Sequence, residues 1–168
     1  MQLEEIDKTR YRKHLNIVIV CCIVVLAAGS LGIAQALIAL YPSTEGTHFH
    51  WNLTGVLVTG GCIAFVLTRL KPHPFMTEVV YVWELKQVLN QITRRMRKIQ
   101  PAAEAGNIEA MLALQFSYAG SRQLWTLDDN TIMMEELGIE QAKLNALAEK
   151  YKVELDLAKF DVRTLKQF

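Results

Sequence analysis

Charge is missing from two long stretches of this chain. Residues 15–40 contain no Asp, Glu, Lys, Arg or His; residues 46–68 contain no Asp, Glu, Lys or Arg, and from Trp51 onward no His. Apolar runs of about 18 residues or more are long enough to cross a bilayer as helices. The same absence argues against a pump or transporter acting alone, because proton relays and ion-coupled sites depend on ionisable groups inside the membrane. Cysteine is scarce as well. Cys21, Cys22 and Cys62 all fall inside these stretches, which excludes a disulfide framework and leaves them as small apolar side chains. Net charge is only +1 with a pI near 7.7, so overall charge favours neither nucleic acid nor an acidic substrate. Phosphate-binding glycine loops, dinucleotide fingerprints, zinc-protease helices and nucleophile elbows are all missing, and Ser117 and Ser121 have no sequence-adjacent His or acid.

What is present begins with the two spans. Residues 15–40 hold fourteen Leu, Ile or Val. At roughly −0.4 kcal/mol each they favour insertion by about 5 kcal/mol, which outweighs Asn16, Ser30 and Gln35. As a helix this stretch measures about 39 Å against a hydrocarbon core of about 30 Å, so tilt or an interfacial end is expected. Ala34-Gln35-Ala36 resembles a signal-cleavage site, but the apolar run continues through Leu40, and a retained span is expected. The second span carries Gly55, Gly60, Gly61 and three threonines and needs a packing partner. Ala28, Gly32 and Ala36 recur every four residues in the first span, as Gly60, Ala64 and Thr68 do in the second. Such stripes let backbones approach closely in lipid; packing of one span on the other is expected, with docking of a further protein as the sharper reading.

Basic residues set the orientation. Lys8, Arg10, Arg12 and Lys13 precede the first span, residues 41–50 contain no Lys or Arg, and Arg69 and Lys71 follow the second. Lys and Arg near span ends stay on the cytoplasmic side, so both termini are expected there and the connecting turn in the periplasm. That turn holds Glu45, His48 and His50 beside Trp51. Imidazole suits zinc, copper and nickel, but a structural zinc site wants four ligands, so interfacial polar side chains are the better reading and no metal or cofactor is expected.

After Pro72 and Pro74 the chain turns into a helical domain. Residues 78–99 space Val82, Leu85, Leu89, Ile92, Met96 and Ile99 alternately by three and four, one apolar face of a helix that falls short of a coiled coil. Arg94, Arg95, Arg97 and Lys98 crowd its end, where they suit the negative pole of the helix dipole and can meet lipid headgroups or an acidic partner. With no aromatics interleaved, the cluster does not read as a nucleic-acid site. Pro101 marks a boundary. A second helix is expected over residues 107–127, broken near Gly120. Asp128-Asp129-Asn130 is expected to end it and to cap a third over residues 131–151, interrupted at Gly138. Residues 128–140 hold five acids and no base, a patch that can pair with the 94–98 cluster. Residues 152–168 read as irregular with a terminal helical turn. Arg122, Trp125, Asp128, Asp129 and Asn130 form the densest group with more chemistry than packing requires, and they are the expected interaction surface, with surface and capping roles the plainer alternative.

Two resemblances follow from these residues. Ala102-Ala103-Glu104-Ala105-Gly106-Asn107-Ile108-Glu109-Ala110, with Leu114 and Tyr118, resembles the first helix of a Sel1-type repeat, although Gln115 stands where those repeats carry glycine and no second copy follows. Arg10-Tyr11-Arg12-Lys13-His14-Leu15, His48-Phe49-His50-Trp51-Asn52, His73-Pro74-Phe75-Met76-Thr77-Glu78-Val79-Val80-Tyr81-Val82-Trp83-Glu84-Leu85-Lys86, Ser121-Arg122-Gln123-Leu124-Trp125 and Leu127-Asp128-Asp129-Asn130-Thr131 resemble a family of small two-span proteobacterial inner-membrane proteins, a domain of unknown function. The first resemblance implies helix pairs that bind partners; the second implies a Gram-negative inner membrane and no activity.

The expected fold is all-α: a cytoplasmic segment (1–14), a transmembrane hairpin (15–40 and 51–70 joined by a periplasmic turn at 41–50) and a cytoplasmic helical domain (71–168). The expected function is non-catalytic, a membrane-anchored adaptor or accessory subunit partnered by the bilayer and by another protein or its own copies. A small membrane enzyme or metal-handling protein using His48 and His50 or the Arg122 to Asn130 surface is the alternative.

Overall fold

In the computed structural model the described residues are 2–42, 48–130 and 132–168. Among them there is helix and no strand. The order is α1 (Lys8–Leu40), α2 (Phe49–Leu70), a 3-10 turn (Pro74–Met76), α3 (Thr77–Glu104), α4 (Ile108–Leu127), α5 (Met134–Tyr151) and two further 3-10 turns, Leu157–Lys159 and Val162–Gln167. The chain divides into two compact units, one of Met1–Lys8 with Tyr81–Phe168, the other Thr9–Val80.

In the Thr9–Val80 unit, α1 and α2 are the two helices long and apolar enough to cross a membrane, and only 6% and 11% of their most apolar windows are buried. A core helix of a water-soluble protein would bury that surface. Along α1, Val20, Ile23, Val24 and Leu31 stand exposed; along α2, Leu57 and Phe65 do so. The two helices touch where side chains are small. Gly29 faces Thr59, and Gly55 lies against the backbone of Ser30 and Ala34. Residue numbers rise along α1 as they fall along α2, so the pair is antiparallel. A Cβ on Gly55 would overlap the Ser30 carbonyl oxygen and come within 3.3 Å of the Ala34 nitrogen, so glycine there is a requirement of the close approach.

That contact corrects the expected packing stripe. Ala28, Gly32, Ala36 and Ala64 are exposed, and a Cβ added at Gly32 or Gly60 would meet nothing within 4 Å. The packing face sits one to two positions away, at Gly29, Ser30 and Ala34, because the four-residue spacing alone does not say which of several small-residue rows faces the neighbour.

In the other unit the core lies around α4. Five of the six apolar positions expected on α3 are buried, Val82, Leu85, Leu89, Ile92 and Ile99, and Met96 is half-buried. From Ala110 to Tyr118 every α4 side chain except Gln115 is buried, the pattern of a helix enclosed on all sides. Phe116 is fully buried and stacks on Phe160 with ring centroids 4.5 Å apart, so the final 3-10 turns close the core and are not a loose tail. Leu144 and Ala148 of α5 and Leu165 complete it.

Several boundaries differ from the expected ones. Pro101 lies inside α3, which runs on to Glu104. Proline there forfeits its own amide bond and crowds the carbonyl of the preceding turn, a local cost that the burial of Ile99 and Ala103 on the same stretch outweighs. The helix stops instead at Gly106 (φ 92°), where the Asn107 amide reaches back to the Ala102 carbonyl at 2.9 Å, and Asn107 then caps α4 by accepting from the Ala110 amide. The Tyr151 ring packs on Gly106 and its hydroxyl donates to the Glu104 carbonyl at 2.8 Å. No break occurs at Gly120 or Gly138. Gly120 instead faces the Leu85 and Leu89 side chains closely, at 3.1 and 3.2 Å from where a Cβ would lie.

Candidate functional site

Two groups of polar side chains are more elaborate than surface solvation requires, and one apolar groove accompanies the first. In the Thr9–Val80 unit the first turns of α1 supply Arg10 and His14, and the start of α3 supplies Glu78. Glu78 is buried at 8% exposure, with Arg10 Nε at 2.8 Å from one carboxylate oxygen and His14 Nδ1 at 3.5 Å from the other. That distance exceeds a hydrogen bond, and both His14 Nδ1 and Glu78 Oε2 are buried with no hydrogen-bond partner. The His14 ring stacks on Phe75 with centroids 4.0 Å apart. Sequence inspection missed Glu78 because a glutamate in the first turn of a helix is ordinarily a solvated dipole partner. Its partners Arg10 and His14 lie 68 and 64 residues away in the sequence, so no local spacing signals the pairing.

Beside this cluster a groove of about 460 Å³ opens between α1 and α2. Val18, Cys21, Cys62 and Val66 are among its walls, and Phe75 and His73 stand at one end. All three cysteines are free thiols lining it.

In the other unit the segment before Thr9 is held by a closed ring of hydrogen bonds. The Glu4 amide donates to the Tyr81 hydroxyl at 2.8 Å, that hydroxyl donates to Gln123 Oε1 at 3.0 Å, and Gln123 Nε2 donates to the Glu4 carbonyl at 2.5 Å. Burial pushes the Tyr81 phenol above its ordinary range, with the two hydrogen bonds acting the other way. Lys8 pairs with Asp129 and Lys86 with Asp128 at 3.4 Å. Nothing in the sequence pattern pointed to this ring, since its members lie 42 to 119 residues apart.

These contacts reassign Asp128-Asp129-Asn130. They form the C-terminal cap of α4: Asp129 adopts φ 57° and the Asn130 amide donates to the Trp125 carbonyl at 2.9 Å. They do not cap α5, whose N-cap is Met133 with no side-chain bond. Aspartate tolerates the left-handed conformation, so the same residue types serve either helix end. Of the expected interaction surface, Arg122, Asp128, Asp129 and Asn130 are exposed and Trp125 is half-buried. The acidic run also reaches Lys143, which sits 2.7 Å from Glu140. Arg94, Arg97 and Lys98 are exposed, and Arg95 donates to the Gln91 carbonyl of its own helix at 3.1 Å. They lie mid-helix and not at the dipole's negative end, because α3 continues to Glu104.

At the other end of α1 and α2, His50 packs on Trp51 at 4.5 Å and Trp51 stacks on Tyr41 at 5.6 Å. Glu45 lies outside the described residues. Among the described residues no group of three or more His, Cys, Asp or Glu is placed to hold a metal ion.

Residues 1–165 match the family model described as "Protein of unknown function (DUF3087)". The chain belongs to this family. No curated protein and no solved structure matches it. Membership in the DUF3087 family thus brings no activity with it, and function has to be argued from the two polar clusters, the groove and the exposed apolar helices.

Proposed function

We propose that the protein is a two-span inner-membrane anchor of a Gram-negative bacterium, with both termini in the cytoplasm, acting as an adaptor or accessory subunit through its helical domain. The observation that carries the membrane part is the exposed apolar surface of α1 and α2, bordered by basic residues at the start of α1 and the end of α2. In water that surface would drive aggregation; in lipid it is the expected exterior. Lys8, Arg10, Arg12 and Lys13 on one side of the pair, with Arg69 and Lys71, favour the cytoplasm for that end. Arg94, Arg97 and Lys98 are then available to anionic headgroups or an acidic partner.

The adaptor part rests on the connection between α4 and α5. Arg122, Asn130, Ile132 and Ile139 are exposed there, Ile132 at 87%. Exposed isoleucines and an exposed arginine are the side chains that a protein-binding surface offers. Alkaline phosphatase fused after Phe168 should be inactive and a fluorescent fusion there should glow; active phosphatase would refute the topology. Purification in mild detergent should bring down a membrane partner, or copies of the chain, in fixed ratio. Replacing Arg122 and Ile132 by Glu should abolish that recovery while leaving helicity unchanged.

A further inference from the structure

The groove between α1 and α2 is unlike the rest of their surface. The helices meet tightly at Ser30 and Gly55, yet toward Ile17 and Leu70 they leave a cleft of about 460 Å³, within the range of ligand sites. Five side chains of α1 between Ile17 and Val25 and five of α2 between Cys62 and Leu70 line it, all apolar or thiol. Phe75, Met76 and His73 finish one end, the end nearest the basic flanks. We propose that this groove holds one acyl chain of an anionic glycerophospholipid, with the lipid phosphate at the mouth beside His73 and Lys71. The proposal rests on the membrane reading above.

Dimensions favour an acyl chain over a partner helix. From Ile17 to Val25 is eight residue steps, about 12 Å along the helix, which is less than one leaflet of a hydrocarbon core about 30 Å thick. A partner helix needs a face along the whole span and a width of about 10 Å. Lipid tails are as apolar as leucine, so a tail is retained by close packing in a cleft and by its headgroup, not by hydrophobic exclusion. The mouth supplies the headgroup's counterpart. The α1 row that lines the groove continues one and two turns earlier as His14 and Arg10, and His14 stacks on the groove wall at Phe75. Lys13 is exposed one turn before Ile17, and Lys71 directly follows the lining residue Leu70. The acid here, Glu78, is paired with Arg10. A cationic mouth above an apolar slot matches a phosphate above a tail.

The test is native mass spectrometry of the full chain purified in mild detergent. One phospholipid per chain is expected, with anionic headgroups enriched over their share of the source membrane. Val66→Trp, which fills the slot, should lower retained lipid about tenfold, whereas Val58→Trp on the outer face of α2 should not change it. Because Val66→Trp can disturb folding, a second variant leaves the slot untouched: Lys71→Glu with His73→Ala should keep a lipid bound but abolish the anionic preference. Equal lipid on the two tryptophan variants, or no headgroup preference in the parent chain, overturns the proposal. So does a second copy or another protein that is lost with Val66→Trp, which would make the slot a helix interface. Recovery in membranes with no bound lipid overturns the groove alone; recovery from the aqueous fraction without detergent overturns the membrane reading with it.

Discussion

Glu78 shows how much one buried carboxylate can control. Its oxygens face Arg10 and His14, and Glu78→Ala removes the carboxylate that pairs with Arg10 and lies against the half-buried His14 ring. Losing a charge-assisted pair of this kind costs about 1–3 kcal/mol, and the half-exposed Arg10 places the expected loss in the lower part of that range. A lowered thermal midpoint in detergent would register it; an unchanged midpoint would show that the cluster does not brace α1 against the start of α3. Gly55 is the opposite case, a position where nothing can be added. Gly55→Val drives a side chain into the Ser30 carbonyl and should separate α1 from α2 at a cost of about 1–3 kcal/mol, read as lost cross-linking between cysteines placed at 29 and 59. Tyr81 and Tyr118 supply a pH dependence. Burial raises both phenols, and Glu140 raises Tyr118 further. The folded chain therefore keeps these protons where the unfolded chain loses them, so their contribution is intact below about pH 10 and falls as pH rises beyond it. Chemical denaturation at pH 8 and pH 10.5 should show that fall, and Tyr81→Phe should flatten it.

At the scale of elements, α4 is the piece on which the Tyr81–Phe168 region depends. Phe116→Ala removes a fully buried ring and its stack on Phe160, and a loss of about 3–5 kcal/mol is expected, enough to unfold a marginal domain in a urea titration. The apolar face of α3 was legible from Val82 to Ile99 because the three-and-four spacing is a direct image of helix geometry, and Asn107 was legible as a start because asparagine followed by helix formers is a capping signal. Asp128 to Asn130 were recognised as punctuation but assigned to the wrong helix, since Asp and Asn satisfy backbone groups at either end. Pro101 misled because proline removes one hydrogen bond and crowds the carbonyl of the preceding turn, a local cost that tertiary packing can outweigh. The packing row at Gly29, Ser30 and Ala34 was hidden among small residues on several faces, and the groove was invisible because a void belongs to two helices at once and to neither sequence. The pairing of Glu78 with Arg10 and His14 could be reached only through the fold.

For the whole molecule, the membrane assignment depends on a contrast between two kinds of helix in one chain. α1 and α2 expose isoleucine, valine and phenylalanine, while α3 buries Val82, Ile92 and Ile99 and α4 buries Phe116. Carbonate washing of membranes should leave the full chain in the pellet, and a version with four exposed span residues, Val20, Val24, Leu57 and Phe65, changed to serine should shift to the supernatant.

The ring formed by Glu4, Tyr81 and Gln123 also dictates an order of events during synthesis. Glu4 precedes both α1 and α2 in the chain, whereas its partners follow them. On the ribosome α1 and α2 therefore emerge while the segment before Thr9 has nothing to close upon. Only after Gln123 clears the exit tunnel does that segment gain its docking place, so the earliest part of its unit is among the last to settle. Any label attached before Glu4 would sit in that closing seam, and a fragment beginning after Val80 would lack one segment of its own architecture from the start.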